Sequence, residues 1–203
     1  MATTAAARRL TEAHRLAQAR IGASTVSELI DIWPLLDPTA IDATAPRWAR
    51  VASTVVESRF RRSSALTVDY LRAFRALELG TLADFTPIIA TFDAAQVSTS
   101  LVVTGPVSLK AAMARGVDLA TATDTAQARS AAAGMRQSLA GGRETIAATT
   151  TADPRAVGYA RVTSGKACEF CSMLADRGAV YSDDTAHFDA HDGCSCSAEP
   201  VYR

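Results

Sequence analysis

The residues best suited to chemistry lie between Cys168 and Cys196, which hold all 4 cysteines and two of the 3 histidines. A Cys168-Glu-Phe-Cys171 pair is followed, about one hairpin's length on, by His187 and then by His191-Asp-Gly-Cys194-Ser-Cys196. Thiolate and imidazole are the donors zinc favours, and a Cys-x-x-Cys turn presents two sulfurs to one ion. The spacing predicts a tetrahedral zinc site in which Cys168 and Cys171 are two ligands and His191, Cys194 and Cys196 compete for the other places. Four-coordination leaves one of these as a neighbour rather than a ligand. His187, four residues before His191, would reach only if that stretch were helical.

Other chemistry finds little support. A redox-active Cys-x-x-Cys normally sits in a βαβ context, which is missing. Glu169, Asp189 and Asp192 are close enough in sequence to serve a catalytic metal, but no His-Glu-x-x-His pattern accompanies them. There is no Gly-x-Ser-x-Gly elbow and no glycine-rich phosphate loop, and a histidine base could come only from His14, His187 or His191. Ser164-Gly165-Lys166 reads as a turn. The expectation is a structural metal and no enzyme.

The elements around the cluster follow from composition. After Pro154, Gly158–Thr163 alternates as a strand does, Cys168–Asp176 reads as a short helix, and Arg177–Tyr181 as a turn into a second strand. So small a unit buries too little apolar surface to fold securely alone, so a metal is its natural staple. Upstream the chain reads as helices. Leu10, Ala13, Ala17 and Ile21 recur at helical spacing until Gly22 breaks the run, and a second helix starts at a Ser24/Thr25 cap with Glu28 and stops near Trp33-Pro34.

One continuous helix is expected from Pro46 to Gly80. Trp48, Ala52, Val55, Leu66, Tyr70, Ala73, Phe74 and Leu77 would share one face, with Arg50, Glu57, Arg61, Arg72 and Arg75 opposite. Arg50, Arg61 and Arg72 recur every eleven residues, about three turns, and form a stripe that is either a solvated face or a contact with phosphate or an acidic partner. Two apolar segments follow, Phe85–Phe92 and Val97–Val103, the second read as helix despite its β-branched residues. Gly105-Pro106 marks a boundary, and an alanine-rich helix from Asp118 to Leu139 ends at Gly141-Gly142 before a polar bridge over Thr145–Thr151. The expected architecture is mainly α: a helical body over residues 1–153 and a small C-terminal α+β zinc-knuckle module over 154–203.

Composition narrows the partners. With 21 basic and 21 acidic residues in 203, net charge is zero, which argues against coating of a polyanion by bulk charge but leaves a local basic stripe open. Only Lys110 and Lys166 are lysines, so the positive charge is nearly all arginine, suited to bidentate pairing with carboxylate or phosphate. No apolar run in the sequence is expected to span a bilayer, and Met1–Ala7 lacks the apolar core of a signal peptide. The expectation is a chain made in a reducing cytoplasm, where clustered cysteines bind metal more often than they form disulfides.

Two stretches carry a resemblance: G158-Y-A-R-V-T-S-G-K-A-C168-E-F-C171-S-M-L-A-D-R-G178-A-V-Y181, and F188-D-A-H191-D-G-C194-S-C196-S-A-E-P-V201. Together they resemble the Mu F-like minor capsid (head morphogenesis) proteins of tailed bacteriophages, especially those of actinobacteriophages. Many members end in His-Pro-x-Cys-Arg-Cys; here Asp192-Gly193 follows the histidine and Ser195 replaces the arginine. The resemblance implies a low-copy or multimeric head protein made in the host cytoplasm and placed in the virion, at the portal vertex or inside the shell. It implies a role in head assembly, DNA packaging or delivery, with the portal protein or major capsid protein as partner and contact with packaged DNA possible. Relatives are often labelled maturation proteases, so a head maturation protease or other zinc hydrolase is the alternative.

Overall fold

A computed structural model describes residues 4–83, 85–163, 168–178, 188 and 190–203. Its elements are α1 (Ala5–Asp31), a 3-10 turn (Trp33–Leu35), α2 (Ile41–Leu79), α3 (Ala94–Val102), a π-helical turn (Val103–Val107), α4 (Ser108–Ala114), α5 (Leu119–Ala152), β1 (Ala156–Val162), α6 (Glu169–Asp176) and β2 (Ser197–Tyr202). The chain is mainly α with a small two-stranded antiparallel sheet near its C-terminus, the fold class the sequence predicts.

α1, α2 and α5 pack on one another along their lengths. At one end Leu29, Trp33, Trp48, Val56, Leu101 and Leu109 form an apolar core. At the other, Tyr70, Leu71, Phe74 and Ile146 join Tyr159, Ala198 and Tyr202 of the sheet. The waist between is polar and tightly packed. Thr11, His14 and Gln18 of α1 meet Ser63, Thr67 and Tyr70 of α2, and Gln18 alone reaches the Ser63 carbonyl (3.1 Å), Thr67 Oγ1 (3.0 Å) and the Ser63 hydroxyl (2.7 Å). Most of these buried polar groups are tolerated because they satisfy one another, while His14 Nδ1 has no partner among the described residues.

That waist explains where α1 departs from expectation. Its buried stripe is Ala7, Thr11, His14, Gln18, Ile21, Gly22, Thr25 and Leu29, so of Leu10, Ala13, Ala17 and Ile21 only Ile21 is buried. Gly22 does not break the helix. A Cβ there would lie 2.8 Å from Met135 Cε, so the glycine lets α5 approach closely. The supposed cap at Thr25 lies mid-helix, its hydroxyl donating to the Ile21 carbonyl (2.9 Å), and Glu28 pairs with Arg59 instead.

Gly141-Gly142 likewise does not end a helix: α5 runs on to Ala152, and Thr145, Thr149 and Thr150 are buried on it. A Cβ on Gly142 would sit 2.7 Å from Thr67 Oγ1 and 2.8 Å from both Gln18 Nε2 and Ser63 Oγ, and one on Gly141 would strike the Phe60 carbonyl. Here glycine is retained for contact, at a cost in helix propensity of about 1 kcal/mol. The threonines of the expected polar bridge hold the extended segment 85–93: Thr149 and Thr145 accept from the Ile88 and Ala90 amides (2.9 and 3.1 Å).

Gly105-Pro106 is no boundary either. Both are buried in the π-helical turn, whose wider winding accommodates a proline that cannot donate to the ladder, and Gly105 packs against Trp48. α3, this turn and α4 therefore form one helical segment, Ala94–Ala114, of 21 residues that is long and apolar enough to cross a membrane by length and composition alone. The sequence reading cut this run in two and so missed it. One side of the segment packs on the body through Val97, Leu101 and Leu109.

α2 is continuous over the predicted span and stops at Gly80, whose φ of 69° is the left-handed cap conformation, but it starts at Ile41, so Pro46 lies inside the helix rather than at its beginning. Its exposed face differs in one residue. Arg75 is buried, its Nε 2.8 Å from Asp153 Oδ2 and its Nη1 donating to the Thr81 carbonyl (2.9 Å). Ala73 and Leu77, expected in the core, are exposed.

β1 and α6 fall where the alternation and the Cys168 turn place them. β1 pairs with β2, a strand the sequence reading did not identify. The strand expected to follow Arg177-Gly178, the Ser164-Gly165-Lys166 turn, His187 and Asp189 lie outside the described residues.

Candidate metal centre

Three loop or terminal positions bring the soft ligands together. Cys168 is the N-cap of α6, with Sγ accepting the Cys171 amide at 3.4 Å, so the helix start holds both members of the Cys-x-x-Cys pair. His191 and Cys194 sit on the loop before β2, and Cys196 immediately precedes that strand. Cys168, Cys171 and His191 form one group of mutually close donors and Cys171, Cys194 and Cys196 another, so Cys171 belongs to both.

The separations suit a shared ion. His191 Nε2 lies 3.0 Å from Cys168 Sγ and 3.7 Å from Cys171 Sγ, and Cys171 Sγ lies 3.6 Å from Cys194 Sγ. A tetrahedral shell with metal–sulfur bonds of about 2.3 Å has edges near 3.7 Å. None of the cysteines is in a disulfide. His191 Nδ1 is 2.9 Å from the Asp192 carbonyl, a donor position that fixes the ring and leaves Nε2 as the ligating nitrogen. Donor chemistry, spacing and ring orientation all fit a bound metal, held by four of Cys168, Cys171, His191, Cys194 and Cys196.

The centre is fastened to α5. Arg136 pairs with Asp192 (2.6 Å), and the Gly193 amide donates to the Ala132 carbonyl (3.1 Å). Arg143 is buried and donates to the carbonyls of Cys194 (2.6 Å) and Cys196 (2.9 Å). Arg161 of β1 lies over the Phe188 ring (3.9 Å) and places Nη1 4.0 Å from Cys171 Sγ. Two buried guanidinium groups beside the sulfurs are the counter-charge that thiolates in a low-dielectric setting require.

The same surroundings set the thiols' acidity. Cys194 is held down to about 4, chiefly by its hydrogen bond with Cys196 and then by the charge of Arg143, and Cys196 is pushed up by that same bond. Burial pushes Cys171 up to about 11. Cys168 is lowered by the Cys171 amide that it accepts, and His191 is raised by the Asp192 carbonyl and then by Cys168. Burial holds Arg143 down to about 10. One acidified thiol thus lies in each group of donors, ready to bind as thiolate.

The structure therefore brings all five predicted ligands into one cluster. Arg50, Arg61 and Arg72 are exposed on α2, apart from this centre, and Arg61 is tied to Glu57 (2.6 Å). Sequence reasoning missed Arg143 and Arg161. For Arg161 the clue was available: it sits two residues after Tyr159, on the same inward strand face. Arg143 had none, because the glycines before it were read as a helix end.

No curated protein and no solved structure matches the chain. A family model does match, across residues 1–203, under the description VG15 protein. The chain thus belongs to the VG15 protein family, a placement that supports a phage-encoded, virion-associated protein.

Proposed function

We propose that this chain is a structural minor capsid protein of a tailed phage head, stapled by one zinc ion at Cys168, Cys171, His191 and Cys194. The observation that carries the reading is the cluster itself: five soft donors for four places, set against two buried arginines and fastened to α5. A structural zinc is enclosed by protein ligands, whereas a catalytic one keeps a position open, and the surplus of donors favours the former. Zinc would supply a rigid cross-link between the start of α6 and the loop that leads into β2, with no reaction step assigned to it. Cys194 takes the fourth place because of its distance to Cys171 and its raised acidity, which makes it a thiolate at neutral pH, while Cys196 stays beside it as a thiol.

Family membership supports the virion. The finer assignment is part of the same proposal: portal vertex or inner shell, a role in head assembly, packaging or delivery, the portal or major capsid protein as partner, and Arg50, Arg61 and Arg72 as an exposed contact stripe. No catalytic role is assigned. Two measurements test it. Metal analysis of the purified chain should give about one zinc per chain, retained in Cys196→Ser and lost in Cys194→Ser. A folded, metal-free C-terminal unit rejects the staple, and absence of the chain from purified particles rejects the virion role.

A further inference from the structure

We propose that the groove between α1 and α2 is an oxyanion site that takes a phosphate group. It is lined by Arg20 and Ser24 from α1 and by Arg59 and Arg62 from α2, over an apolar floor that includes Ile21 and Leu66, and its volume is about 230 Å³. Arg59 and Arg62 are three residues apart, so they project on neighbouring helix positions toward the same groove. Among the described residues no carboxylate lines the groove, and neither Arg20 nor Arg62 is in an ion pair. Only Arg59 is engaged, with Glu28.

Three guanidinium groups less that one carboxylate leave an excess of two positive charges in a chain whose net charge is zero. The groove is therefore a local feature rather than a consequence of composition. A concave site with one sign of charge focuses the field on an incoming anion. Guanidinium forks match the oxygens of phosphate bidentately, and the Ser24 hydroxyl adds a donor. The volume lies below the roughly 300–1,000 Å³ of sites for drug-sized ligands, which suits a single tetrahedral oxyanion or one phosphodiester unit. The Arg50, Arg61 and Arg72 stripe is a weaker candidate for the same ligand, since Arg61 is already paired with Glu57. This proposal rests neither on the metal centre nor on the virion reading.

The full chain would be titrated with inorganic phosphate and, separately, with a short fluorescent DNA duplex at 50 and 200 mM salt. Saturable binding of either, weakened about tenfold in Arg20→Ala/Arg62→Ala and largely kept in Arg20→Lys/Arg62→Lys, supports the site. For the duplex, the slope of log affinity against log salt should fall by about 2 in the double-alanine variant, one for each lost phosphate contact. Duplex binding that excess inorganic phosphate competes away identifies a nucleic-acid backbone as the source, and duplex binding that phosphate leaves unchanged places the duplex outside the groove and overturns the site as its contact. Phosphate binding with no duplex binding identifies the free ion. Both substituted arginines are exposed, so the fold should survive, and thermal melts confirm that. The site is overturned by binding of neither probe, by binding unchanged in the double-alanine variant, or by equal loss in Arg61→Ala.

Discussion

His14 shows how much a single residue's role depends on its surroundings. In the sequence it is one of three candidate bases; in the structure it is a core residue, stacked on Tyr70 at 4.2 Å with Nε2 3.0 Å from Thr67 Oγ1 and 3.1 Å from Gln18 Nε2. Burial holds it down to about 4, so the neutral ring is the form that fits. Between an unfolded value of about 6.5 and the folded value the unfolded chain binds the extra proton. Stability from this group is full above 6.5 and falls by about 1.4 kcal/mol per unit as pH drops toward 4, about 3 kcal/mol in all. Urea unfolding at pH 7 and at pH 4.5 should show that loss in the wild type, and His14→Gln should lack most of it. An equal loss in both would mean that other groups carry the acid sensitivity. The metal ligands were more legible than this histidine because ligand chemistry restricts residue type and spacing, whereas a buried histidine looks like any other until its neighbours are known.

At the level of elements, helix existence was legible and helix ends were not. α2 announced itself through its apolar face and its terminal glycine. α1, α5 and the Ala94–Ala114 segment were each cut short because glycine and proline were read by their intrinsic preference. In all three places a packing contact overrides that preference: Met135 at Gly22, Trp48 at Gly105, and the Ser63, Thr67 and Gln18 side chains at Gly142. β2 was missed for a related reason, since a strand of Ser197-Ala-Glu-Pro-Val-Tyr is recognisable only once β1 lies beside it. The packing explanation fixes the sign of an experiment. By helix propensity Gly142→Ala should stabilise the protein by about 1 kcal/mol. With three side-chain atoms within 2.8 Å of the new methyl, the clash should win and the variant should be less stable by about 1–3 kcal/mol. A denaturant midpoint above wild type would show that helix propensity outweighs the contact at Gly142 and would reject the packing explanation.

At the scale of the whole molecule the metal centre and the helical body share their support. Two strands alone are marginal in water. Here Tyr159, Ala198 and Tyr202 complete the core around Phe74 and Ile146, Thr11 donates to Glu199 across from α1, and Arg143 ties α5 to the carbonyls between the ligands. Metal removal should therefore be felt well beyond residues 168–196. A ligand that binds only the folded state stabilises it by about 4 kcal/mol when present at a thousand times its dissociation constant. For a chain of this size each kcal/mol moves the melting temperature by about 2–4 °C, so chelation should lower it by about 8–16 °C. Far-UV circular dichroism, which reports the helices, and tyrosine fluorescence, which samples the shared core, should move together. If chelation left the helical transition in place while the C-terminal amides lost protection from hydrogen exchange, the small sheet would be an independently unfolding appendage. The Arg143 contacts would then serve only to position it.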